Sequence, residues 1–263
     1  MRTKNLFIFL LTALIFGAAP AVVTAGDFAF FKFLGFSRDG KYLAFEESGS
    51  YDGSGGYYTH TFFVDTEKNE YALAPGLIDN FLYENPLPPK PQTRLERKIK
   101  LETAARLRQL KIVDGNTGDL LVAHLPTDWT NEPFYETDGA STETVKFNNV
   151  VYANSRDAEK YYELTLKTLP AESKDCGTDV FKFELLLADK TSSEERPVQV
   201  LQSDKTLPES RGCAYGYRIE RVYFYGDRIA VFLQVFSQGF EGPDLRYRVV
   251  TARLDNEPLS KYY

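Results

Sequence analysis

Two glycine-rich loops, Ser48 to Gly56 and Gln238 to Asp244, carry the residue types best suited to recognition. Asp52, Ser54, Tyr57, Tyr58, Glu241, Asp244, Arg246 and Tyr247 lie in or beside them and mix aromatic, acidic and basic groups. Loops of that composition between apolar strands suit a binding surface. The plainer reading is that the glycines satisfy turn geometry and that Asp52 and Asp244 bond local backbone.

Catalytic and metal chemistry are less well supplied. Asp52, Ser54 and the nearby Glu46 or Glu47 offer hard oxygen ligands, but the spacing lacks the regular carboxylates and terminal Glu of a calcium loop. His60 and His124 are the only histidines, too few for a zinc site unless the cysteines join them. Neither histidine sits in a nucleophile-elbow context, so a Ser-His-Asp hydrolase has no recognisable frame. Glu46 and Asp52 could serve a glycosidase, yet with 37 acidic residues some neighbouring pair is inevitable. The lone Trp129 and the other aromatics could stack on sugars, although most sit in strand-like runs where core packing explains them. No metal and no cofactor are expected.

The start of the chain points outward from the cell. Arg2 and Lys4 precede an uncharged apolar stretch, and Val23-Thr24-Ala25 supplies the small residues of a cleavage site, so residues 1–25 read as a signal peptide. No later segment is apolar enough to span a bilayer. The remaining 238 residues carry 29 basic and 37 acidic groups, a net charge of −8, which disfavours nucleic acid as a partner. In an exported chain the only two cysteines, Cys176 and Cys213, are expected to form a disulfide. Both lie in loop-like stretches, which suggests a staple between strand ends.

What must position these groups is mainly β. Strands are expected over Phe28 to Phe36, Lys41 to Glu47, Tyr57 to Thr66, Val180 to Leu187, Val198 to Leu201, Arg218 to Tyr225, Arg228 to Phe236 and Leu245 to Leu254. Ile229 to Phe236 has so little polarity that it reads as a central strand buried on both faces. Leu110 to Val113 and Leu120 to Ala123 are expected to form a hairpin around Asp114 to Asp119. One helix is expected over 94–108, capped by Thr93 with Glu96 three residues on, after an extended spacer Pro86 to Pro91. Between Arg94 and Lys111 the charge is +5, and the plainer reading is a solvated helix lying on the acidic body with Leu95, Ile99 and Leu107 inward, the sharper one a basic docking element for an anionic partner or the membrane surface.

An offset of 186 places Gly40, Ala44, Gly53, Gly56 and Val64 on Gly226, Ala230, Gly239, Gly242 and Val250 without a gap. One supersecondary unit used twice would explain this, and would put the two glycine-rich loops on one face.

The segment G-F-S-R-D-G-K-Y-L-A-F from Gly35 to Phe45 resembles a blade of periplasmic Tol-Pal-type propellers, and Val113 to Leu121 resembles a quinoprotein-style hairpin. More fully, Gly26-Asp27-Phe28-Ala29, the Gly35 to Glu47 segment, Asp52 to Gly55 and Gly239 to Asp244 with Arg246-Tyr247 resemble a family of bacterial predicted secreted proteins of unknown function. That resemblance implies export and one domain, residues 26–263, and brings no catalytic residue. The expected fold is therefore mainly β, antiparallel meanders in a propeller-like or irregular sandwich arrangement. The expected function is a non-catalytic exported binding protein for a protein or small ligand, periplasmic or secreted. The alternative is a secreted hydrolase acting on glycan or peptide.

Overall fold

The computed structural model describes residues 26–51, 56–79, 89–124, 140–148, 161–177, 179–190, 196–239 and 242–254, with side chains for all of these except 75–79, 89–93 and 95. The expected signal peptide lies outside the described residues. Among the described residues three antiparallel sheets of four strands and one α-helix make up the architecture, without a closed barrel. Sheet I orders β1 (Phe30–Phe36), β2 (Tyr42–Ser50), β3 (Tyr57–Asp65) and β4 (Glu70–Asp79) in sequence, followed by helix α1 (Pro89–Gln109). β5 (Asp119–Ala123) joins β10 (Ala214–Tyr225), β11 (Arg228–Gln238) and β12 (Pro243–Arg253) in sheet II, ordered β12-β11-β10-β5. Sheet III runs β6 (Ser141–Phe147), β7 (Tyr161–Ala171), β8 (Val180–Lys190) and β9 (Gln199–Ser203).

Sheet II is the middle layer, because the alternation of β11 is apolar on both faces. Ala230, Phe232 and Phe236 face sheet I, where they meet Phe33, Phe45 and Phe62. Ile229, Val231, Leu233 and Val235 face sheet III, where they meet Leu164, Leu166, Leu185 and Leu187. β8 shows the expected pattern, with Phe181, Phe183, Leu185 and Leu187 buried between half-buried Lys182, Glu184 and Leu186. The outer face of sheet I is covered by the end of α1, with Leu107 and Leu110 against Leu34, Ala44 and Phe63.

The repeated unit is visible in the strands. The offset of 186 carries the starts of β2 and β3 onto the starts of β11 and β12, and the turn glycines Gly40 and Gly226 both adopt positive φ, 70° and 62°. Tyr42 pairs with Asp65 whereas Arg228 pairs with Arg253, a two-residue difference in register. Side chains alternate with a period of two, so this slip leaves every residue on its face. Leu43 and Phe45 point at sheet II, and their equivalents Ile229 and Val231 point at sheet III. The sheets thus stack head to tail.

Two local expectations need correction. Leu110 to Val113 and Leu120 to Ala123 form no hairpin: β5 pairs with β10, while the turn after α1 lies along β1. There Phe36 N donates to the Asn116 carbonyl at 2.7 Å and Gly115 N to the Leu34 carbonyl at 2.9 Å. Gly35 permits this approach, since a Cβ there would stand 2.5 Å from the Val113 carbonyl oxygen. The helix also begins earlier than expected, at Pro89, so Pro89 to Pro91 belong to its first turn and Thr93 is not its cap. Proline fits there because the first helical N–H groups have no intrahelical acceptor to lose. At the other end Lys111 takes φ 55°, with Ile112 N bonding the Leu107 carbonyl and Lys111 N the Arg108 carbonyl. This is a Schellman closure, and it turns Ile112 onto the outer face of sheet I. β4, β6 and β7 are strands the sequence reading did not anticipate.

Cys176 and Cys213 are bonded, with Cα atoms 5.6 Å apart. Cys176 lies between β7 and β8 and Cys213 directly precedes β10, so the bridge staples sheet III to sheet II. Nearby, Arg211 pairs with Asp204 and stacks 4.2 Å over the Phe183 ring.

Candidate functional site

The β2–β3 and β11–β12 hairpin ends are brought together by the segment that precedes β1. Residues 26–29 run beside β12, with Leu245 N donating to the Asp27 carbonyl at 3.0 Å and Ala29 N to the Leu245 carbonyl at 3.1 Å. Gly26 is wedged so closely that a Cβ would stand 2.2 Å from the Pro243 carbonyl oxygen. Asp244 accepts from Asp27 N at 2.9 Å. Arg246 is the hub: its guanidinium donates to the Tyr58 hydroxyl and the Asp27 carbonyl, both at 2.8 Å, and stacks 4.6 Å from the Tyr58 ring centre. Its second nitrogen lies 3.4 Å from the Asp27 carboxylate. Burial pushes the Tyr58 hydroxyl up to about 12, so it stays protonated at physiological pH.

Beneath this platform a polar chain runs between sheets I and II. Glu47, only 2% exposed, accepts from Tyr247 N at 2.9 Å, and burial raises its pKa despite nearby Arg248 and Arg246. The Tyr247 hydroxyl lies beside Glu220, whose pKa burial also raises. Glu220 pairs with its neighbour Arg221 at 3.4 Å, and Arg221 lies 5.1 Å from the Phe31 ring centre. Consecutive strand residues normally face opposite ways. Here the register of β10 shifts between Ile219 and Arg221, and the bulge turns both charges toward sheet I.

Of the residues singled out from sequence, Tyr58 and Arg246 are linked directly and Asp244 joins them through Asp27, whereas Tyr247 belongs to the polar chain at Glu47 and Glu220. Tyr58 and Tyr247 are buried at 1% and 5% exposure, Asp244 and Arg246 are half-buried, and Tyr57 is exposed. Asp52, Ser54 and Glu241 lie outside the described residues, as does Trp129. Asp27, Glu220 and Arg221 were not singled out. The signal for the last two was legible as two adjacent charges inside the otherwise alternating run Ala214 to Tyr225.

The groups that resemble catalytic machinery are occupied by the scaffold. His60 lies in β3 between the rings of Tyr58 and Phe62. His124 Nδ1 donates to the Ile219 carbonyl at 2.7 Å and is 3.5 Å from Glu143, which itself accepts from Ile219 N at 2.9 Å. This histidine–carboxylate pair therefore satisfies both backbone groups of Ile219, just beyond the end of β5. Where the three sheets meet, a cleft of about 230 Å³ is lined by Tyr71, Gln202, Arg211 and Arg248. Arg248 is held there by the Tyr71 hydroxyl and by the carbonyls of Ser210 and Tyr247. Among the described residues no three His, Cys, Asp or Glu side chains converge as a metal cage.

Residues 44–253 match a family model described as Predicted secreted protein (DUF2259), a family of unknown function. No curated protein and no solved structure matches the chain.

Proposed function

The chain belongs to this family of predicted secreted proteins, and we propose that it is a non-catalytic exported binding protein acting in the periplasm or outside the cell. In this reading residues 26–263 work as one domain once residues 1–25 are removed. The ligand, a protein or small molecule, is held by the loops of the β2–β3 and β11–β12 hairpins, with Tyr57 and the loop residues Asp52, Ser54 and Glu241 making contact. Tyr58, Asp244, Arg246 and Tyr247 set the platform under them.

The observation that carries this reading is the Arg246 hub. One guanidinium ties the hairpin of sheet I, the hairpin of sheet II and the segment at Asp27. Loops mounted on a fixed base lose less entropy when they bind, which is the physical value of such a tie. The test is cross-linking in the exporting cell followed by mass spectrometry, comparing wild type with Asp52→Ala, Tyr57→Ala and Glu241→Ala combined. A partner captured by wild type and lost in the folded triple variant is the expected result. A partner retained by that variant removes the loops from the proposal.

The competing reading is a secreted hydrolase acting on glycan or peptide, and His124 beside Glu143 is the observation that favours it. It requires turnover of peptide or glycan substrates that disappears in His124→Ala while the fold persists. Absence of turnover in wild type discards it.

A further inference from the structure

We propose that the solvent face of α1 docks the exported protein onto anionic phospholipid bilayers. The helix is held to the body by one side only. Arg106 donates to the Ala74 carbonyl at 2.7 Å and lies over the Phe63 ring, and Leu107 packs beside it on sheet I. At 3.6 residues per turn, Arg94, Arg97, Lys98 and Arg108 all fall within about 60° of Leu101 around the helix axis. All five are exposed, Leu101 to 62%. Glu96 is on the opposite side, and Glu102 sits on the flank, where it pairs with Lys98 at 3.8 Å.

That is the only ion pair of the helix among the described residues. The helix thus lies on the body through Leu107, which was the plainer of the two expectations for this segment, while the cations on its other side stay in solvent. Their face spans about 21 Å along the axis from Arg94 to Arg108 at 1.5 Å per residue. An acidic protein is repelled by an anionic bilayer in every orientation except the one that presents such a face.

The occupant follows from shape and composition. The face is the convex side of a helix, without a groove for a peptide, and a leucine projects from the middle of the cations. A helix at headgroup level uses this combination, with charge drawing it to the surface and an apolar side chain entering the acyl boundary.

The test uses the exported, processed protein and sedimentation with vesicles. It should co-sediment with phosphatidylcholine vesicles containing phosphatidylglycerol, not with pure phosphatidylcholine, and dissociate as salt shortens the screening length. Combined Arg94→Gln, Arg97→Gln, Lys98→Gln and Arg108→Gln should weaken binding at least about a hundredfold. Glutamine keeps the helix, so the melting temperature should hold. Leu101→Gln should weaken binding by a smaller factor, which a purely electrostatic attachment would not show. Equal sedimentation with both vesicle types, or unchanged binding by the quadruple variant, overturns the proposal. Retention by heparin without vesicle binding also overturns it, because the face would then serve a soluble polyanion. If the quadruple variant melts below wild type, the wild-type comparison of the two vesicle types across salt decides alone.

Discussion

The two faces of the middle sheet solve the same packing problem with different side chains. Toward sheet III, β10 and β11 present Ile219, Val222, Ile229, Val231, Leu233 and Val235 to the leucines of β7 and β8, and the pair of sheets is closed by the Cys176–Cys213 bridge. Toward sheet I the same strands present Tyr223, Phe232 and Phe236 to Phe31, Phe33, Phe45 and Phe62, with Glu47, Glu220 and Arg221 enclosed among them. On the sheet III side Phe183, Tyr217 and Phe224 join the aliphatic side chains, and the buried Tyr217 hydroxyl is satisfied by the Phe181 carbonyl at 2.7 Å. The interface with sheet I encloses Glu47 and Glu220, carboxylates whose raised pKa values register a cost of burial, and it leads directly to the hairpin ends where the proposed contacts lie. The disulfide staples the one face, and the buried Glu47 and Glu220 beside the candidate site lie on the other.

That contrast can be broken at either face. The largest effect is expected from Cys176→Ser with Cys213→Ser, because the bridge closes a separation of 37 residues. Loop-closure entropy then predicts a loss of about 4 kcal/mol, measurable by denaturant unfolding. Leu233→Ala, fully buried against sheet III, should cost about 3 kcal/mol in the same assay. A loss below about 1 kcal/mol would show that the aliphatic face is not tightly packed.

Arg246→Ala is expected to cost about 2 kcal/mol, since it strips the charged donor from Tyr58 and Asp27. Limited proteolysis should then cut faster around residues 51–57, while the disulfide-closed half keeps its protection. Cleavage rates unchanged from wild type would show that the hub does not hold the hairpin ends.

The smallest effect is in pH dependence. Burial raises the pKa of Glu47 and Glu220 above the unfolded value near 4.5. The folded state therefore binds protons more tightly than the unfolded one, and the stability this contributes is full below about pH 4.5 and lost as pH rises through the folded values. Glu220→Gln should flatten the decline in melting temperature above pH 4.5. An unchanged profile would mean that Glu220 is not the strained group.

Much of this organisation was readable from pattern. The polarity-free run at Ile229 to Phe236 announced a strand buried on both faces, and the two cysteines of a chain that reads as secreted announced their bridge. β6 and β4 were not readable: Ser141 to Phe147 is rich in Thr and Glu, and β4 contains Pro75 and Gly76, tolerated because it is an edge strand. β7 alternates Tyr162, Leu164 and Leu166 inward and could have been recognised. The candidate site was half legible. Tyr58, Asp244, Arg246 and Tyr247 stood out by type, but nothing local assigned the two tyrosines to the interior or brought Asp27 to Arg246.

Period-two alternation and glycine at turns needing positive φ are properties of neighbouring residues and the cysteine pair is one of composition, so the amino-acid sequence by itself determined most of the strands, several turns and the staple. Partnership across 182 to 219 positions is not such a property: Asp27 with Arg246, Tyr58 with Arg246, Thr251 with Asn69. Only the head-to-tail stacking of sheet I on sheet II decided those contacts. Stacking is selected by the summed burial of two whole faces, and no residue within either strand carries that sum.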